Sequence, residues 1–344
     1  MDYPGEKLLL KMWETLAEKG VGSLLAPWQE KRIAAARAEI RRREMLTLAQ
    51  AEREVEAIKA GKSAFQINPE RKLLGNSTEN ARGIERIEPT LDLSVMAESI
   101  ANRDLSDSIR KETNVARAII KAEDILRNDK QDPPGDELDD DWLYSWRDYA
   151  GRVSVDELQD MWGRILAGEV KQPGSYSLRT LEFLKGLSRQ EAVLISSAAK
   201  FVVGGRIYRK KDEFLEREGI QFAHLMLLQD IGVLSGVEAI GLNTTYQSSR
   251  EDRFFRPLVA ANKALLVEHE NASKVLKSEV YLLTQVGLEI LKIASFHVDE
   301  GYLMSVAQDF VKQGYTVTVG DWVQETADRG SILNPQKVMA PENA

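Results

Sequence analysis

The chain contains no cysteine, which excludes disulfides, thiolate metal sites and cysteine nucleophiles at once. Histidine is nearly as scarce. His224, His269 and His297 are the three present, and no two of them stand at the i, i+4 spacing of a helical zinc site. There is no H-E-x-x-H sequence and no G-x-S-x-G elbow. Residues 60–63 read AGKS, but Glu56 occupies the place where a phosphate loop needs its first glycine. No run of about 20 apolar residues occurs, so no transmembrane helix is expected. The opening MDYPGEKLLLKMWETLAEKG mixes acids among its apolar positions and lacks the unbroken core of a signal peptide. These absences lead to the expectation of a cytoplasmic, non-enzymatic protein with no catalytic residues, no metal and no cofactor.

What is present is ordinary for a globular protein: 43% hydrophobic and 29% charged residues. At 344 residues the chain exceeds what one core usually fills, so two or three domains are expected. The net charge of −8 is unevenly spread, because residues 129–141, DKQDPPGDELDDD, hold seven acids against one lysine. Consecutive acids on a Pro-Pro-Gly loop lack calcium-loop spacing, so this segment reads as a solvated acidic loop.

Leu8, Leu9, Met12, Trp13 and Leu16 follow helical spacing. Residues 28–60 contain neither glycine nor proline and would span roughly 50 Å as one helix. Their apolar positions Ile33, Ala36, Ile40, Leu48, Ala51, Val55 and Ile58 form a narrow stripe that needs a partner helix. Residues 1–62 are therefore expected to form an oligomerisation or partner-binding segment. An amphipathic helix on a membrane surface, with Trp13 and Trp28 at the interface and Arg41, Arg42 and Arg43 toward headgroups, is the competing reading. Residues 63–92 read as a linker. Residues 93–204 read as a helical bundle, with separate helices over 93–103 and 107–128.

The most patterned stretch is SVDELQDMWGRILAGEVKQPGSYSLRTLEFLKGLS, residues 154–188. Ser154 and Glu157 match a capping box, and so do Ser188 and Glu191; Ser177 and Thr284 read as further helix caps. Trp162, Met161 and Leu166 share an apolar face that reads as core. Pro173 and Gly174 stop the helix. Glu169, at the negative end of that helix, needs a cationic partner; Arg179 and Arg164 are the candidates, and Arg179 across the turn is the expected ion pair.

The segment VDELQDMWGRILAGEVKQPGSYSLRTLEFLKGLSRQEA resembles the signature of a bacterial family, domain of unknown function twenty-eight-oh-six. The segments APWQEKRIAAARAE, RKETNVARAIIKAEDIL and DDDWLYSWRDYAGRVS resemble other parts of it, so the likeness runs over most of residues 20–200. More distantly, the arrangement resembles the abortive-infection alpha family of phage-defence proteins. The resemblance implies a role in antiviral defence, alongside a protein partner of a defence system, and carries no established catalytic residues.

From residue 205 the pattern changes to alternating helices and short strands. Their order is that of a winged-helix-like α+β unit over 205–325, followed by a disordered tail over 326–344. The fold class expected is thus mainly α: a long N-terminal helix, a central bundle and the winged-helix-like unit. Arg206, Arg209, Lys210 and Lys211, with Arg250, Arg253 and Arg256 in a presumed wing loop, are the candidates for nucleic-acid contact. Against that, the helix FAHLMLLQD at 222–230 has few side chains able to read bases. The reading that follows is a homo-oligomer working by protein–protein contacts. Nucleic-acid binding is the first alternative and membrane perturbation by the N-terminal segment the second.

Overall fold

A computed structural model of the chain describes residues 4–21, 49–53, 56, 93–239, 243–294, 296–326 and 329–339. The chain divides into two compact units, Met1–Asp129 with Leu143–Ala167, and Lys130–Trp142 with Gly168–Ala344. Most of the stripe expected over 28–60, and the linker over 63–92, lie outside the described residues. So do Trp28 and the three arginines of the membrane reading. No helix among the described residues is long and apolar enough to cross a membrane.

The first unit is helical. Helix α1 (Glu6–Glu18) buries Leu8, Leu9, Met12, Trp13 and Leu16, as the i, i+3, i+4 spacing requires. Trp13 is thereby part of a core rather than offered to a membrane surface. The backbone N–H of Gly5 donates to the Arg127 carbonyl, tying this end of α1 to the end of α2 (Leu93–Leu126). Helix α2 is one element where two were expected. The polar run NRDLSD supplies N-cap residue types, but no proline or glycine breaks the backbone hydrogen bonding there. Its second half buries Val115, Ala116, Ala118, Ile119, Ala122 and Leu126.

Helices α3 (Asp140–Gly151) and α4 (Asp156–Lys171) supply Trp146 and Trp162, the largest fully buried side chains among the described residues. The Trp146 Nε1–H donates to the Trp162 carbonyl at 2.9 Å, so the indole is packed and satisfied at once. Neutral amides join the end of α3 and the loop after it to α2 and α4. Asn114 Nδ2 donates to the Gly151 carbonyl (2.8 Å) and to Ser154 Oγ (3.2 Å), while Gln159 Nε2 donates to Asn114 Oδ1 and the Val153 carbonyl. The Ser154 hydroxyl is thus occupied by Asn114, and α4 begins at Asp156.

The second unit corrects the expected fold class. It carries two four-stranded antiparallel sheets, so the protein is mixed α and β rather than mainly α. Its helices are α5 (Leu178–Gly186), α6 (Arg189–Ala199), α7 (Asp212–Arg217), α8 (Phe222–Asp230), α9 (Gln285–Leu291) and α10 (Glu300–Lys312). Ser177 caps α5, Ser188 and Glu191 form a capping box on α6, and Thr284 caps α9.

The first sheet runs in the order β1 (Arg206–Tyr208), β6 (Leu276–Leu283), β2 (Leu234–Ser235), and β3 (Asn243–Tyr246) pairs with the other half of β6. Between β3 and β6 the chain inserts a hairpin, β4 (Phe254–Ala260) and β5 (Lys263–His269). That hairpin continues into β7 (Thr316–Thr326) and β8 (Arg329–Lys337), giving the second sheet in the order β4-β5-β7-β8.

Two expectations fall with this sheet. The supposed wing loop around Arg256 is strand, and the tail expected to be disordered supplies β8 over 329–337. Pro335 within β8 is compatible with a strand because β8 is an edge, where a missing N–H breaks no ladder.

Candidate functional site

The signature corner lies in the second unit. Four residues, Gln172 to Ser175, make a turn in which the Ser175 N–H donates to the Gln172 carbonyl. Pro173 sits at its second position and Gly174 at its third with φ +82°, which is the requirement of a type II turn. Glu169 closes the corner from within. Its carboxylate accepts from the N–H of Gly174 at 2.6 Å and of Tyr176 at 3.0 Å. Arg179 is exposed, and among the described residues no ion pair joins it to Glu169. The alternative cation, Arg164, pairs with Asp160. The donors are therefore backbone amides, and the expected ion pair is replaced by a carboxylate-capped turn.

Gly168 explains the rest of the Gly-Glu pair. A Cβ on it would stand 2.7 Å from the Tyr176 ring, so only glycine lets the ring lie against α4. Tyr176 is buried, its carbonyl accepts from Trp142 Nε1 (2.7 Å), and burial pushes its hydroxyl up to about 12, with Glu169 and Glu289 adding to the shift.

The corner has a second acid that the sequence reading missed. Glu289, on α9, accepts from the Ser177 N–H (2.7 Å), from Ser177 Oγ (3.0 Å) and from Gln285 Nε2 (2.9 Å). Glu169 and Glu289 are each 2% exposed. Burial raises the Glu169 carboxyl above its ordinary range, and the nearby charge of Glu289 adds to this, against the lowering by its amide donors. Burial also pushes Glu289 upward, but hydrogen bonds from Thr180, Ser177 and Gln285 outweigh it and leave the group below the ordinary range. A signal for Glu289 did exist. It stands three residues after Val286 and next to Ile290, an acid on the buried face of an apolar helix.

Both oxygens of each carboxylate accept from turn or helix donors, so the arrangement fixes a chain path. Trp162, in the first unit, is buried against Tyr149 at a centroid distance of 6.0 Å. Among the described residues no cluster of three or more histidine, aspartate or glutamate side chains is arranged to hold a metal.

The seven basic candidates are all in the second unit and mostly engaged. Lys210 pairs with Glu279 (2.6 Å), Lys211 with Asp309 (2.7 Å) and Ser305, and Arg253 with Glu268 (3.8 Å). Arg209 stacks on Tyr281 at 4.3 Å and donates to the carbonyls of Gly236, Val237 and Ala239. Arg250 lies over Phe255 at 4.3 Å. Arg206 and Arg256 are different. Both lie over the buried ring of Tyr246, at 4.7 and 6.0 Å from its centroid. The sequence reading grouped all seven by charge. The structure separates five cations with other partners from two that share one ring.

Residues 98–307 match the family model described as "Protein of unknown function (DUF2806)". The chain belongs to that family. The match covers more than half of the chain and takes in the signature corner together with the first sheet and the β4–β5 hairpin. No curated protein and no solved structure matches the chain.

Proposed function

We propose that this member of the family is a non-enzymatic, oligomeric, cytoplasmic protein that acts through protein–protein contacts, using the winged-helix-like unit expected over residues 205–325 for recognition. The connectivity supports a unit of this kind: two helices separate β1 from β2, and β6 returns between those strands. One observation carries the reading. Helix α8, the second of the two intervening helices, presents Phe222 at 59% and Leu227 at 40% exposure. Residues 222–230 include no lysine or arginine. An apolar outer face suits a protein surface, whereas a phosphate backbone calls for cations. The setting we propose is bacterial defence against phage, a reading that rests on the more distant resemblance of the helix arrangement to the abortive-infection alpha family.

The test is the mass of the full chain by light scattering, with and without the paired substitutions Phe222→Ser and Leu227→Ser. A smaller assembly in the variant, with an unchanged circular-dichroism spectrum, is the expected result. An identical mass over a range of concentrations would remove α8 from the contact. Salt-sensitive binding of a DNA duplex that survives the paired substitutions would favour nucleic-acid recognition instead.

A further inference from the structure

Arg256 occupies a position where a cation is unexpected. Phe254, Leu258 and Ala260 alternate with it on one face of β4, and all three are buried. Its Nε–H is buried and has no hydrogen-bond partner. Arg206 approaches the same ring from β1. It is held by Nε donating to Thr244 Oγ1 (2.9 Å) and Nη1 donating to the Gly204 carbonyl (2.6 Å). The neighbouring carboxylates Glu279, Asp309 and Glu268 go to Lys210, Lys211 and Arg253, and among the described residues none pairs with Arg206 or Arg256.

The remaining polar groups are hydroxyls. Tyr208 and Tyr246 share a 2.5 Å hydrogen bond between their oxygens, and the Tyr302 hydroxyl accepts from the Tyr208 N–H. Burial keeps all three phenols protonated, so none supplies a negative charge. Two half-buried guanidinium groups thus converge on one neutral ring with no counter-charge. Stacking offsets part of the desolvation of each, but it satisfies neither the idle Nε–H nor the uncompensated charge.

We propose that Arg206 and Arg256 form a binding subsite for a phosphate group carried by a small molecule. The planar fork of a guanidinium matches the oxygens of a phosphate. Arg206 is preorganised by Thr244 and Gly204, and Arg256 brings an unused donor. Because both groups lie over a buried ring between strands, and neither stands on an open basic stripe, the subsite takes a compact phosphate and not a polymer backbone. This inference is independent of the α8 reading, since neither arginine belongs to that helix.

The experiment is titration calorimetry of the full chain with inorganic phosphate and with pyrophosphate, each against sodium chloride at matched ionic strength. Saturable, one-to-one binding of either anion is expected. Arg256→Gln should weaken it about tenfold or more, and Arg256→Lys, which keeps the charge but loses the fork, should restore little of it. Lys210→Gln, at an exposed pair outside the cluster, should leave it unchanged. Thermal melts of each variant without anion establish that the fold is intact. If Arg256→Gln fails to fold, the Nε–H resonance of Arg256 in the unaltered protein gives the same answer, because it should shift as phosphate is added. No saturable heat with either anion, equal binding by Arg256→Gln, or a stationary Arg256 resonance would overturn the proposal. So would a single-stranded oligonucleotide that binds in an Arg256-dependent manner where free phosphate does not.

Discussion

The two units bury polar groups by opposite means. In the first, Asn114, Gln159 and Ser154 share neutral hydrogen bonds with the carbonyls of Gly151 and Val153. In the second, Glu169 and Glu289 carry ionisable carboxyls into a turn, and Arg206 and Arg256 carry guanidinium groups against a buried ring. A neutral network holds helices in register without responding to pH. A charged one does the same work but couples the fold to protons and to whatever ions are near. The solvent conditions that matter to this protein therefore act on the second unit.

The comparison breaks most severely on apolar packing, which serves both units but dominates the first. Trp162→Ala should destabilise the helical unit by about 4 kcal/mol in denaturant titration, since it removes a fully buried ring. Glu169→Ala should follow at about 3 kcal/mol, because the amides of Gly174 and Tyr176 lose their acceptor. Asn114→Ala should reach about 2 kcal/mol, with the same loss at neutral and mildly acid pH.

The pH dependence sharpens the contrast. Glu289, whose carboxyl is held below its ordinary range, stabilises the fold above its unfolded pKa and loses that contribution as pH falls through its folded value. Glu169, raised by burial, does the reverse: its contribution is complete below the unfolded pKa and disappears as pH rises through the folded value. Glu289→Gln should flatten the acid limb of a stability–pH curve, and Glu169→Gln should flatten the limb just above it. Matching curves for the two variants would contradict this assignment. The smallest effect is a gain. Ala261 turns the β4–β5 hairpin at φ +52°, a conformation that favours glycine, so Ala261→Gly should raise the denaturation midpoint by an amount equivalent to about 1 kcal/mol.

Local chemistry was legible in the sequence where it is local in space. Ser177, Ser188 with Glu191, and Thr284 cap the helices they precede, because the donor and acceptor lie three residues apart. Glu169 was recognisable as needing partners, but the sequence offered Arg179 as the nearest charge. The amides that serve it come from a turn whose geometry depends on Gly174, and the companion acid stands 120 residues away on α9. Strands β4 and β8 of the second sheet were hidden for a different reason. Arg253 and Arg256 with Phe254 and Phe255 resemble a polar loop with interleaved aromatics, while RGSILNPQK, with its glycine and proline, has the composition of a tail. Each segment becomes strand only because a partner strand from elsewhere in the chain supplies its hydrogen bonds, which no local propensity records.

The route of the β4–β5 hairpin has a temporal side. Its strand β5 runs from Lys263 to His269, yet the neighbour that completes it, β7, begins at Thr316 and is itself flanked by β8 out to Lys337. During synthesis the bare backbone edge of β5 must wait until those later residues have left the ribosome. Until then the hairpin offers open hydrogen-bonding groups to any extended segment nearby. Slowing translation between residues 270 and 316 should therefore lengthen the interval in which nascent chains associate wrongly, and a chain released before β7 is made should keep that edge bare and aggregate more than the full chain.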